Sequence, residues 1–149
     1  MSKILAKNKK ALFDYEIIKK YEAWIILKWH EVKSIKYLGC NLKWSHIVSS
    51  EKSLFIVNIH IPVWKTMKNK KENREKIEIL LEKKEIFYIK NKIKDKWLTL
   101  VPIDLHLKWS IIKTNIALVK WKRKYEKKNL LKERSIQKDA KIEIKKIYN

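Results

Sequence analysis

The chain has 149 residues, 37 Lys and Arg against 16 Asp and Glu, and a formal net charge of +21. That length holds one domain with a core and a tail, and a field of that sign draws polyanions, nucleic acid first and an anionic membrane surface second. A single cysteine, Cys40, excludes a disulfide framework and a thiolate metal cluster, and no apolar run reaches the length of a membrane span or a signal-peptide core, which fits a reduced cytoplasm.

Residues 1–10 read as a flexible basic arm. From Leu12 to Leu27 the β-branched and aromatic residues predict two strands, with a turn at Lys19-Lys20. Val32, Ile35 and Leu38 recur at helical spacing over 31–38, and Gly39 is placed to cap that helix at its C-terminus. Strands follow at about 41–48 and 53–61, divided by Ser49-Ser50-Glu51-Lys52. Residues 65–75 read as a polar loop, 77–81 as a strand and 83–96 as a helix. Val101, Ile103, Leu105 and Leu107 alternate with polar or turn-forming residues, a period-2 strand that pairs with 111–119 in a hairpin. The whole predicts a mainly β, α+β fold: a small closed antiparallel OB-like barrel over 11–119.

After Lys120 the character changes. Residues 120–149 carry twelve Lys and Arg and four Asp and Glu, with no clean apolar stripe. Such a segment reads either as a tail that is disordered when free and orders on a partner, or as a solvated terminal helix.

The candidate chemistry is one of binding. His30, His46, His60 and His106 lack metal-like spacing, and no nucleophile set, P-loop or Gly-rich phosphate cradle is legible, so neither an enzyme nor a cofactor is expected. The basic residues are nearly all Lys, which serves phosphate as a point charge but lacks the planar fork of Arg for base edges. Glu31 either favours a helix N-terminus or presents a carboxylate to RNA. Tyr15, Tyr21 and Tyr125, set among lysines, are candidates for base stacking, with core packing the competing role for Tyr15 and Tyr21.

Asn8-Lys9-Lys10-Ala11, Asp14-Tyr15, Tyr21-Glu22-Ala23 and Glu31-Val32-Lys33-Ser34 resemble the SsrA-binding protein family, SmpB. The likeness continues through Asn41-Leu42, Asn58-Ile59-His60-Ile61, Leu98-Thr99-Leu100-Val101-Pro102, Lys120-Trp121-Lys122-Arg123-Lys124-Tyr125 and Lys132-Glu133-Arg134. The resemblance implies a partner of transfer-messenger RNA in trans-translation. The barrel binds the tRNA-like domain, and the tail occupies the empty decoding centre and message channel of a stalled ribosome. It implies that Asn8, Lys9, Lys10, Asp14, Tyr15, Glu31, Lys33 and Ser34 lie at or near the RNA-binding face. Lys120, Lys122 and Lys124 would bridge barrel and tail, and Tyr125, Lys127, Lys128, Lys132, Glu133 and Arg134 would lie on the ribosomal tail, helical once docked. The excess charge favours a monomer when free. The alternative is a general RNA-binding barrel such as a ribosomal protein or RNA chaperone. The chain departs from the family pattern at His30, Glu126 and Lys128, and over the 62–72 loop.

One glycine stands against seven tryptophans, where average usage of about 7% gives roughly ten glycines. Trp109, between two strands, and Trp97, at a helix end, stand where a glycine of positive φ is expected. Against the family, Trp24, Trp29, Trp97 and Trp121 fall on glycine positions, Trp109 on a turn glycine and Trp44 on glycine or aspartate, whereas Trp64 falls near an aromatic. UGA codons decoded as glycine in the cell would account for the pattern, so no function is placed on these tryptophans.

Overall fold

The computed structural model describes residues 2–63, 76–95, 97–122 and 124–148, and omits the side chains of residues 2, 124–127 and 148. In chain order the elements are β1 (Ser2–Lys7), α1 (Lys9–Asp14), β2 (Tyr15–Ile25), α2 (Trp29–Leu38), β3 (His46–Ser49), β4 (Leu54–Val57), β5 (Lys76–Leu80), α3 (Lys83–Ile93), β6 (Leu98–Lys108), β7 (Ile111–Trp121) and α4 (Lys124–Tyr148). The strands form one seven-stranded antiparallel sheet in the order β1-β6-β7-β2-β5-β4-β3. β3, at one end of that order, packs close to β6. The predicted 65–75 loop lies mostly outside the described residues.

Three expectations for the chain are corrected. The arm expected over residues 1–10 is instead β1, paired from Ser2 opposite Lys108 to Lys7 opposite Asp104, followed by the start of α1. Leu5 and Ala6 pack against the main core from what composition marks only as a lysine-rich run. The two strands expected between Leu12 and Leu27 are one helix and one long strand. Lys19-Lys20 makes no turn; a register shift between Ile17 and Lys19 falls there instead, a β-bulge that lets β2 stay paired with β7. The barrel's expected end at residue 119 also moves, because β7 keeps pairing until Trp121 stands opposite Tyr15.

The sheet centre is buried on both faces. Leu100, Leu105, Ile112, Ile116 and Leu118 join the main core with Ile35 of α2 and Ile89 of α3. Val101, Ile103, Ala117 and Val119 point the other way and form a second cluster with Ala11. Burial on both sides leaves Leu100 to Ile103 and Ile116 to Val119 buried residue after residue, although β6 alternates in sequence. A register shift between Pro102 and Asp104 also breaks the expected single stripe. Val101 and Ile103 face α1, whereas Leu105 turns into the main core.

Helix ends follow the chemistry at hand. Gly39 closes α2 at φ 77°, its N–H bonded to the Ile35 carbonyl at 3.1 Å, as expected of a C-terminal glycine. The C-cap of α3, Lys94, is right-handed at φ −59°. Beyond it the Asp95 carboxylate accepts from the Trp97 N–H at 3.1 Å, and the expectation of a glycine-like cap at Trp97 turns on Lys96, which lies outside the described residues. At the β6–β7 hairpin the expectation holds, with Trp109 at φ 54° and Ser110 at φ 71°.

Candidate nucleic-acid interface

α1 is only six residues long and is held from both ends. Asn8 is buried, and its carboxamide oxygen accepts from the Ala11 N–H at 3.1 Å, capping the helix. The same side chain donates through Nδ2 to the Pro102 carbonyl at 2.9 Å, and the Asn8 N–H donates to the Ile103 carbonyl at 2.7 Å. At the other end the Lys122 N–H donates to the Asp14 carbonyl at 3.0 Å, and Lys122 Nζ donates to the Leu12 carbonyl at 3.1 Å. A helix too short to persist alone is thus bolted to β6 and to the end of β7.

That clamp builds a recess of about 300 Å³ lined by Asn8, Lys10, Asp14, Tyr15, Trp44 and Trp121 among others. Lys10 Nζ stands 3.3 Å from the Asp14 carboxylate and 4.2 Å from the centre of the Trp44 ring. Tyr15 meets Trp121 edge to face, centroids 4.9 Å apart. Burial, and then the neighbouring Asp14 carboxylate, raise the Tyr15 hydroxyl pKa above its usual value, so the phenol stays a neutral donor. A second recess of about 310 Å³ adjoins it, lined by Lys7, Asn8, Lys9, Lys10, Asn41 and Lys43. Four lysines and two amides around one hollow are suited to phosphate and sugar oxygens.

The residues named from sequence separate into two kinds. Asn8, Asp14, Glu31 and Ser34 are buried. Glu31 accepts from the Lys28 N–H at 2.9 Å and so closes the start of α2, and Ser34 Oγ donates to the Pro62 carbonyl. Lys9, Lys33 and Lys120 are exposed, while Lys10, Tyr15 and Lys122 are half-buried around α1. Lys33 Nζ lies 5.2 Å from the Trp29 ring centre, on α2. Lys124, Tyr125 and Lys127 belong to α4, but their side chains lie outside the described ones. Lys128, Lys132, Glu133 and Arg134 are exposed, and the Arg134 guanidinium stands 5.2 Å from the Phe13 ring centre.

The fold also gathers Lys7 and Lys43, which no sequence motif marks, and Asn41, which the Asn41-Leu42 motif includes without a role. Lys7, Asn41 and Lys43 line one hollow with Lys9 and Lys10, and Asn41 is itself held by a bridge to His60. The one signal for this in the sequence is the Gly39 stop, which turns the chain back there. Among the described residues no group of three His, Cys, Asp or Glu side chains is placed to hold a metal ion, and no helix is long and apolar enough to cross a membrane.

Residues 5–146 match the family model described as SmpB protein. The chain is 42% identical over 147 residues to the SsrA-binding protein of Sulfurihydrogenibium sp. (strain YO3AOP1), covering 98% of this chain and 94% of that one. It is 38% identical over 144 residues to the SsrA-binding protein of Fusobacterium nucleatum, covering 95% and 97%. A solved structure described as "tmRNA-SmpB: a journey to the center of the bacterial ribosome" superposes with a TM-score of 0.67 at 30% identity, over 80% of this chain and 85% of that one.

Proposed function

This chain belongs to the SmpB family, and on that premise we propose that it binds the tRNA-like domain of transfer-messenger RNA and delivers it to stalled ribosomes for trans-translation. The observation that carries the reading is the convergence of Lys7, Lys9, Lys10, Asn41 and Lys43 beside Tyr15, on a face framed by buried Asn8 and Asp14. Lysines meet phosphate, and Tyr15 offers a ring to an unstacked base. Lys33 on α2 and Lys120 on β7, both exposed, are further phosphate contacts. Asn8, Asp14, Glu31 and Ser34 act from beneath it by fixing α1 and α2. The sheet works as a closed OB-like barrel, its end strand β3 folded against β6.

α4 is the ribosomal tail. Already helical over Lys124–Tyr148 without a partner, it enters the empty decoding centre and message channel, where Tyr125, Lys127, Lys128, Lys132, Glu133 and Arg134 meet ribosomal RNA. Lys120, Lys122 and Lys124 bridge barrel and tail. The protein works as a cytoplasmic monomer without catalysis or cofactor.

Truncation after Lys122 tests the division of labour, since Lys122 completes the clamp on α1. The truncated protein keeps its affinity for the tRNA-like domain and no longer supports tagging of nascent chains on stalled ribosomes. Tagging that persists overturns the tail assignment. RNA recovered with the full protein from cells should be enriched in transfer-messenger RNA; ribosomal or messenger RNA without it would favour a general RNA-binding barrel.

A further inference from the structure

Six tryptophans lie among the described residues, and all six are exposed, from 49% at Trp24 to 81% at Trp109. Tryptophan is a residue that folded chains ordinarily bury for most of its area. Two of the six also sit in left-handed backbone, Trp44 at φ 68° and Trp109 at φ 54°. Among the described residues the other non-glycine ones with positive φ are Asn58 and Ser110. Asparagine is enriched in that region and serine has a short side chain, whereas a bulky aromatic has nothing to offset the clash of its Cβ. Trp109 and Ser110 are the two central residues of the β6–β7 hairpin, both with positive φ, a turn whose sequences are dominated by glycine, asparagine and aspartate. The same chain contains one glycine, Gly39, itself at φ 77°.

We propose that positions 44 and 109 are occupied by glycine in the cell, because the gene specifies them with UGA and the cell decodes UGA as glycine rather than tryptophan. A codon meaning applies wherever the codon occurs, so the same substitution reaches the other tryptophan positions that share it. Trp24, Trp29, Trp97 and Trp121 are the candidates, each exposed and none of them in the buried core. Local backbone does not by itself demand glycine at Trp24, Trp29 and Trp121. An exposed aromatic in a strand, as at Trp24 and Trp121, is ordinary β chemistry. The shared codon, together with the near absence of glycine, is what groups them with 44 and 109. The surface consequence is concrete: Lys10 loses the ring of Trp44 beside it, and Tyr15 loses its edge-to-face neighbour Trp121.

The test is peptide sequencing by mass spectrometry on the protein from its own cells, read beside the codons of the gene. Glycine at 44 and 109, with UGA at both, is the expected result; tryptophan in the native peptide, or UGG in the gene, at either position overturns the proposal. A recombinant pair separates the effect of the backbone from that of decoding. Trp44→Gly with Trp109→Gly should raise the melting temperature by roughly 5 °C, and a fall would show that these turns do not call for glycine.

Discussion

The Asn8 carboxamide donates to the carbonyl of Pro102 at 2.9 Å, joining residues 94 apart in sequence and fixing α1 to β6. The same side chain caps α1, so one residue performs two structural tasks from a fully enclosed position. Asn8→Ala leaves the Ala11 N–H and the Pro102 carbonyl without that partner, and should destabilise the fold by about 1–3 kcal/mol. Urea unfolding followed by circular dichroism measures it. Unchanged stability would mean that Asn8 is dispensable to the clamp.

The exposed lysines should behave oppositely. Lys33→Ala and Lys120→Ala remove charge without removing packing, so stability should stay within about 0.5 kcal/mol. Affinity for the tRNA-like domain should fall for both, and the slope of log K against log salt should shrink by about one for each phosphate that is no longer neutralised. A salt titration of binding to that RNA domain distinguishes this from a local folding defect, which would leave the slope unaltered.

Tyr15 gives a sharper chemical test. If its ring stacks on a base, Tyr15→Phe keeps most of the affinity and Tyr15→Ala loses about 1–3 kcal/mol. If its hydroxyl is the contact instead, the Phe variant loses nearly as much as the Ala variant. Isothermal titration at neutral pH compares them directly, because burial raises the phenol pKa above its usual value and keeps it protonated throughout.

Cys40 should be a poor nucleophile in the folded protein. Burial pushes its thiol up to about 12, far above an ordinary thiol. The folded state therefore holds the proton more tightly than the unfolded chain does. The associated stability is fully present below the ordinary thiol range and is lost as pH climbs from there toward 12. Alkylation by iodoacetamide at pH 8 should be at least about tenfold slower than in urea. Equal rates would mean that the Cys40 site is open.

Much of the fold is legible in the chain. The helix stop at Gly39, the hairpin between β6 and β7, and strands β4 and β5 follow from period, turn chemistry and a single glycine. β1 is hidden because its pairing partner lies about a hundred residues away and its own sequence is half lysine or polar. The full length of β2 is hidden too, because a pair of lysines in a strand resembles a turn when the bulge that accommodates them cannot be seen. At the interface the exposed lysines can be named from the sequence, but the burial of Glu31 and Ser34 cannot. Nothing local shows that one carboxylate closes its own helix and one hydroxyl reaches the Pro62 carbonyl.

The clamp on α1 also orders events in time. Its parts are Asn8 against Pro102 and Ile103, Tyr15 opposite Trp121, and Lys122 against Leu12 and Asp14. The earliest segments made on the ribosome must therefore wait for nearly the latest before either has a partner, a non-local closure that folds slowly. A nascent chain that stops short of Lys122 lacks one end of the clamp on α1. The clamp on α1 is therefore complete only once the whole sheet has been made, and the tail that follows emerges onto a finished hollow.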